Sequence, residues 1–208
     1  MDRRYRTVKL PSKMLEAVEE LVKEQGFGGI RLHFPLHRGN PEGLADKDQN
    51  ALWDRAQALG LGFIAFGNCA ELPIVEKMVR QFPGVKVVVD HMGQLDISEE
   101  PPYPLFSNLL RLARYANVFV KVSNLASVSK EPHPHRDTFP FVRMVYDAFG
   151  PQRLMWGSDF PLVFRGYSSY SAPLEIVRTH LDFLTEDDRQ WLVGKTAATV
   201  WPLCGAAA

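Results

Sequence analysis

An α/β fold built on a parallel sheet is what this sequence predicts, and three observations predict it. Strand-like apolar runs alternate with helix-period segments along the chain, an order that sets successive strands side by side with helices packed over them. Two of those runs, Gly84-Val85-Lys86-Val87-Val88-Val89 and Arg153-Leu154-Met155-Trp156, are almost continuously apolar, as strands covered on both faces are. Both stop at ionisable residues, Asp90-His91 and Asp159, and the carboxyl edge of a parallel sheet is where α/β enzymes gather their reactive groups.

Taken in order, Ser12 is a helix N-cap, with Met14, Leu15, Val18, Leu21 and Val22 following at helical spacing and Gly26 supplying the stop. The segment Gly29-Ile30-Arg31-Leu32-His33-Phe34 then changes to a period of two, which puts Arg31 and His33 on one face. Residues from Pro35 to Asn50 read as a polar loop, Ala51 to Leu59 as a helix closed by Gly60, and Gly62 to Gly67 as a short strand. Pro73 opens a helix through Ile74, Val75, Met78 and Val79, and the strand from Val85 to Asp90 follows it. The next pair is a helix over Leu105 to Tyr115 and a strand over Asn117 to Ser123, with Lys121 and Ser123 on one face. A helix from Phe141 to Phe149 leads through Pro151-Gln152 to the strand that bears Asp159. The chain ends in a helix from about Ala172 to Phe183 and in a segment capped by Thr185 that continues through Gln190 to Val193. This reading holds five strands in a single domain over residues 1–208, with no linker or internal repeat.

Charge narrows the function classes. Lys and Arg number 24 against 24 Asp and Glu, and without a basic stripe the sequence speaks against nucleic acid or an anionic membrane as the main target. No apolar stretch approaches the ~20 residues of a spanning helix. Cys69 and Cys204 lie far apart without paired spacing, which favours thiols in a reducing compartment over a disulfide or a zinc knuckle. A cytoplasmic protein is expected, with organellar import left open by the basic amino terminus, which has no apolar segment behind it.

Five segments in this order carry a resemblance: Gly29-Ile30-Arg31-Leu32, Asp90-His91-Met92-Gly93, Val120-Lys121-Val122-Ser123, Trp156-Gly157-Ser158-Asp159-Phe160-Pro161 and Gly194-Lys195-Thr196-Ala197-Ala198. From about Gly26 to Pro202 the chain resembles the amidohydrolase-related (amidohydrolase family 2) metal-dependent hydrolases. That (β/α)₈-barrel group contains sugar-acid lactonases, pyrone-dicarboxylate lactonase and relatives that decarboxylate. The resemblance implies a TIM barrel of which about five of the eight strands are here, so the single domain is expected to be incomplete at its amino terminus. It implies that His91 is the family's late-strand metal or substrate histidine and Asp159 its final-strand carboxylate, which ligates metal or takes a proton from the attacking water. It also implies a zinc or manganese ion. Family members open with a strand ending in His-x-His, and this chain has no strand followed by such a pair; His133-Pro134-His135 shares only the spacing, in a Pro-rich loop. Since a catalytic metal usually takes three protein ligands, His91 and Asp159 form an incomplete set.

The expected chemistry is water attack on a small lactone or carboxylated ring. Asp159 is the candidate base, and His91 polarises the carbonyl or holds metal. Arg31, His33 and Lys121 are candidate substrate-binding groups, Arg31 through bidentate contact with a carboxylate. A buried ion pair between Arg31 or Lys121 and Asp90 is the competing structural reading of those two cations. Decarboxylation on the same scaffold is the alternative activity, and a non-catalytic remnant or interaction subunit is the alternative class. Open parallel edges call for a second copy or another partner to cover them. Trp53, Trp191 and Trp201 are expected in the packing between helices and sheet, His37 and His180 at the surface, and Glu186-Asp187-Asp188 in a helix's first turn. Ser158 lacks the second glycine of a Gly-x-Ser-x-Gly nucleophile elbow.

Overall fold

The computed structural model describes residues 12–33 and 47–201. His37, Phe34 and Cys204 lie outside them, as does most of the loop expected from Pro35 to Asn50. Five strands, β1 (Gly29–His33), β2 (Gly62–Phe66), β3 (Val87–Val89), β4 (Val118–Val122) and β5 (Leu154–Trp156), form one sheet in sequence order, every pairing parallel. A parallel neighbour needs a crossover, and each crossover here carries a helix, among them Lys47–Leu59, Leu72–Gln81, Phe106–Arg111 and Phe139–Phe149. Strand order equal to chain order, with helices over one face, is how part of a (β/α) barrel is built. Among the described residues, β1 and β5 each have one unpaired edge.

Strand alternation sorts the side chains into two sets. The outward set includes Phe63, Ala65, Val87, Val89, Val118, Val120, Val122 and Leu154, and it joins the helices through Trp53, Val75, Met78, Leu109, Leu112 and Val145 in the main core. The inward set begins with glycines and apolar residues and ends with charges. Ile64, Val88, Phe119 and Met155 make a smaller apolar layer, Asp90, Lys121 and Ser123 stand nearer the carboxyl ends, and Arg31, level with Ile64 in register, reaches Asp90 from its own strand. Trp201 belongs to this inner layer with Val200, not to the helix–sheet packing expected of it. Its indole lies where a Cβ on Gly29 would come within 2.7 Å of Nε1, so the glycine that opens β1 is the space the ring occupies. Trp53 does sit in the main core, whereas Trp191 lies on a helix surface, donating from Nε1 to Asp187 at 3.2 Å.

Several boundaries differ from the sequence reading for identifiable reasons. The second helix begins at Lys47, so polar residues assigned to the loop form its first turn. The third is preceded by a 3₁₀ turn, Cys69–Glu71, capped reciprocally by Asn68 and Glu71. The helix from Ala172 passes into a π turn over Ile176–His180 and stops there, and Thr185 caps Glu186–Gln190 through a box with Asp188. Replacing Trp201 by alanine should lower the unfolding free energy by about 2–3 kcal/mol in a urea titration, since it would uncover Val88, Phe119 and Met155 from below. An unchanged urea midpoint would show that the indole is not part of the core.

Candidate active site

The carboxyl ends of β1, β3, β4 and β5 converge on one ionic cluster. Asp90, directly after β3, is buried to 1% exposure, and its carboxylate takes two cations from different strands. Arg31 Nη2 of β1 lies 2.5 Å from Oδ2, and Lys121 Nζ of β4 lies 2.9 Å from Oδ1. Burial pushes the Asp90 carboxyl upward, but Lys121 first and Arg31 after it hold the group below the ordinary aspartate range. Gly157, following β5, makes the lysine's position available, because a Cβ there would come within 2.6 Å of Lys121 Cδ.

His91 and Asp159 meet at the same edge. His91 Nε2 stands 3.7 Å from Asp159 Oδ1, 3.6 Å from Asp90 Oδ2 and 3.3 Å from Arg31 Nη2. Its other nitrogen, Nδ1, is 2.7 Å from Ser123 Oγ. Burial is the main influence on the imidazole and lowers its proton affinity; Asp90 and Asp159 pull in the opposite sense without reversing it. His91 is therefore neutral at neutral pH. Three loops leave these strands through left-handed backbone: His91, Met92, Gly93 and Gln94 form a left-handed turn with φ between 45° and 68°, and Asn124 (φ 59°) and Asp159 (φ 56°) repeat the conformation after β4 and β5. Gly93 is the residue in that turn where a side chain could not follow, since its Cβ would meet Cys69 Sγ at 2.9 Å.

Two cavities open at this edge. One, about 320 Å³, is lined by His91, Gln94, Ser123 and Asn124 among others. The other, about 190 Å³, is lined by Asn124, Ser158, Asp159, Arg165 and Tyr167 among others. Tyr167 is buried and its phenol is pushed up to about 12, so it remains protonated.

The structure thus brings together His91, Asp159, Arg31 and Lys121. The ion pair with Asp90, weighed against substrate contact for both cations, is the contact they make. His33 lies beside this group, its ring 4.9 Å from that of Phe66. His133 and His135 are elsewhere, in a ring cluster with Tyr167 and a half-buried His180; His180 is not the free surface group expected. Cys69 is buried and its thiol is pushed up to about 12 by burial, which removes it as a nucleophile. Phe66 and Ser123 were not singled out by the sequence as site residues, although the period-two alternation of β2 and β4 places both on the inner face.

A barrel-type sheet that gathers a carboxylate, an imidazole and two cations at its carboxyl edge has its ionisable groups where (β/α)-barrel enzymes place their active sites. The amidohydrolase family model matches residues 2–203, and the chain belongs to that family. It is 30% identical over 150 residues to L-fucono-1,5-lactonase of Burkholderia ambifaria, covering 70% of this chain and 50% of that protein. It is 31% identical over 156 residues to 2-pyrone-4,6-dicarboxylate hydrolase of Comamonas testosteroni, with the same coverage of 70% and 50%. The chain therefore spans about half the length of the curated relatives it matches. Among solved structures, an amidohydrolase from Burkholderia multivorans superimposes with a TM-score of 0.78 at 25% identity, over 89% of this chain and 69% of that one. A second crystal form of that amidohydrolase holds zinc.

Replacing Asp90 by asparagine should cost about 3–5 kcal/mol by chemical denaturation, because Arg31 and Lys121 would lose their shared counter-ion. Ionised Asp90 has a folded-state proton affinity below its unfolded one, so its stabilising effect is fully present above an ordinary aspartate value of about 3.9 and is lost as pH falls through the lower folded value. The asparagine variant should accordingly show a flatter fall in stability below about pH 4, and an equally steep fall would rule out Asp90 as the responsible group.

Proposed function

We propose that this chain carries the base and the anion-binding cations of a site that hydrolyses small lactones bearing a carboxylate. The observation that supports it most directly is the approach of His91 Nε2 to 3.7 Å from Asp159 Oδ1, beside two cations held by a different carboxylate. A water molecule attacking the lactone carbonyl must lose a proton as its oxygen bonds to carbon, and Asp159, at 14% side-chain exposure and open to the smaller cavity, is placed to take it. The ring oxygen leaves as an alcohol after protonation. The net change, lactone plus water to a hydroxycarboxylate, releases one proton at neutral pH.

Arg31 carries five N–H donors. Nη2 faces Asp90 and His91, and the side chain remains 38% exposed, so part of it stays open to solvent. Arg31 and Lys121 are proposed to bind the substrate's carboxylate while Asp90 fixes where they stand. His91, neutral and anchored by Ser123, is proposed to polarise the reacting carbonyl. His33, with proton affinity lowered by burial and by Arg31, is a neutral group at the rim.

The resemblance implies zinc or manganese, and the donor chemistry of this site tests that. Among the described residues no group of three or more His, Cys, Asp or Glu side chains is arranged to hold a metal ion. The available nitrogen of His91 also faces a guanidinium at 3.3 Å, an arrangement opposed to a cation on that lone pair. His91 and Asp159 alone do not fit a metal site, and no step above is routed through one. Curated relatives of this chain named for their chemistry act on lactones, which supports hydrolysis over decarboxylation.

The test is acid release in a pH-stat with the full chain from 2-pyrone-4,6-dicarboxylate, and from L-fucono-1,5-lactone as the lactone that bears no carboxylate. Turnover of the dicarboxylate is expected to be the faster, and Asp159→Asn should reduce its kcat by roughly 10²–10⁴-fold, the range for loss of a general base. A full chain that releases no acid from either compound would favour the non-catalytic reading.

A further inference from the structure

Arg31 and Asp90 belong to strands that are not neighbours. β2 lies between β1 and β3, and adjacent strands are about 4.8 Å apart, so the arginine must cross a full strand to reach the carboxylate. The side chain it crosses is Phe66. The guanidinium carbon lies 4.1 Å from the centroid of that ring, a distance at which the planar cation rests on the π face. The same ring meets His33 at 4.9 Å and His91 at 5.9 Å, the latter edge-on at 89°. One half-buried aromatic residue therefore touches three polar side chains of the site, and the ion pair with Asp90 alone, made through Nη2, would leave the guanidinium free to turn about that contact.

We propose that Phe66 is a positioning residue that sets the plane of the Arg31 guanidinium, so that its free edge is presented for bidentate capture of a substrate carboxylate. The inference rests on the lactonase reading above for the identity of the anion, but not for the geometry. The ring covers one face of the guanidinium from water and blocks rotation out of plane, while Asp90 fixes one end. Two constraints in different directions leave a single orientation, and in that orientation the donors of Nη1 and Nε have no hydrogen-bond partner among the described residues. An aliphatic side chain at residue 66 would fill the space without supplying a flat, electron-rich face. A tyrosine would supply both.

Calorimetric titration of the full chain with 2-pyrone-4,6-dicarboxylate, in an Asp159→Asn background that suppresses turnover, tests this using Phe66→Leu and Phe66→Tyr, with KM and kcat read in the chain that keeps Asp159. The leucine variant should bind about tenfold more weakly and show a KM raised to match with kcat within about twofold, whereas the tyrosine variant should behave as wild type. In an Arg31→Lys background, which removes the planar cation, Phe66→Leu should have no further effect on affinity; a ring acting only as packing would lower affinity equally in both backgrounds. Nitrogen-15 spectra of the wild-type chain add a readout that needs no variant. Separate Nη1 and Nη2 signals for Arg31 are expected from a pinned guanidinium, and one averaged signal would overturn the proposal. Wild-type binding by Phe66→Leu would remove the role of Phe66 and leave the lactonase reading standing. A wild-type chain that neither binds the dicarboxylate nor hydrolyses either lactone would bring down that reading and this proposal with it.

Discussion

The site depends on one buried carboxylate. Asp90 draws Arg31 from β1 and Lys121 from β4 onto the end of β3, so that a single charge links the ends of strands separated in sequence by scores of residues. Removing a carboxylate from water is costly, and two cations with good geometry are the kind of compensation that makes it tolerable. The arrangement also fixes what surrounds it. Gly157 must lack a side chain because Lys121 passes over it, and Phe66 must be flat because Arg31 lies on it. Each of these is a local requirement on one residue, and each traces back to the same counter-ion.

Backbone strain gathers at the same edge. An L-residue in left-handed backbone costs roughly 1–2 kcal/mol, and non-glycine residues in that region include His91, Met92, Gln94, Asn124 and Asp159. Such conformations persist only where the surroundings over-determine them. Here Gly93 is packed on Cys69, Met92 and His91 are buried, and His91 is tied to Ser123. The reward for that strain is direction. A strand leaving in extended backbone would turn successive side chains to opposite faces, whereas the left-handed exit lets Asp90 and His91, adjacent in sequence, both meet the ionic cluster.

How much of this was legible in the sequence follows from what kind of signal each part leaves. Strand and helix periods are local, so the order of five strands and their helices could be read directly, and the stop of each apolar run marked the edge where Asp90, His91 and Asp159 appear. The faces of β1 and β4 followed from alternation, which placed Arg31 with His33 and Lys121 with Ser123. Partner choice is not local. Whether Arg31 and Lys121 face a substrate or Asp90 depends on distances between strands, and both readings fit the same letters. Phe66 looked like any strand aromatic, since its contact with Arg31 arises only when β1 must reach over β2. Trp201 was assigned to the wrong side of the sheet because a terminal apolar residue carries no period to orient it, and the glycines at 29 and 62 that receive it are intelligible only once the ring is there. The left-handed turn after β3 had one sign, Gly93, in four residues.

The separation of duties between the two carboxylates is what makes the cluster suited to base catalysis. Arg31 and Lys121 both pair with Asp90, and the nitrogen within ion-pair range of Asp159 among the described residues belongs to His91, an imidazole that burial keeps neutral. On the proposed reading a substrate carboxylate meets cations already oriented by Asp90, so little further ordering is required of them on binding. On the same reading Asp159, outside both ion pairs, is left to take the proton of water. The cations then stand close to the proposed base without pairing with it, and Asp90 supplies that distance.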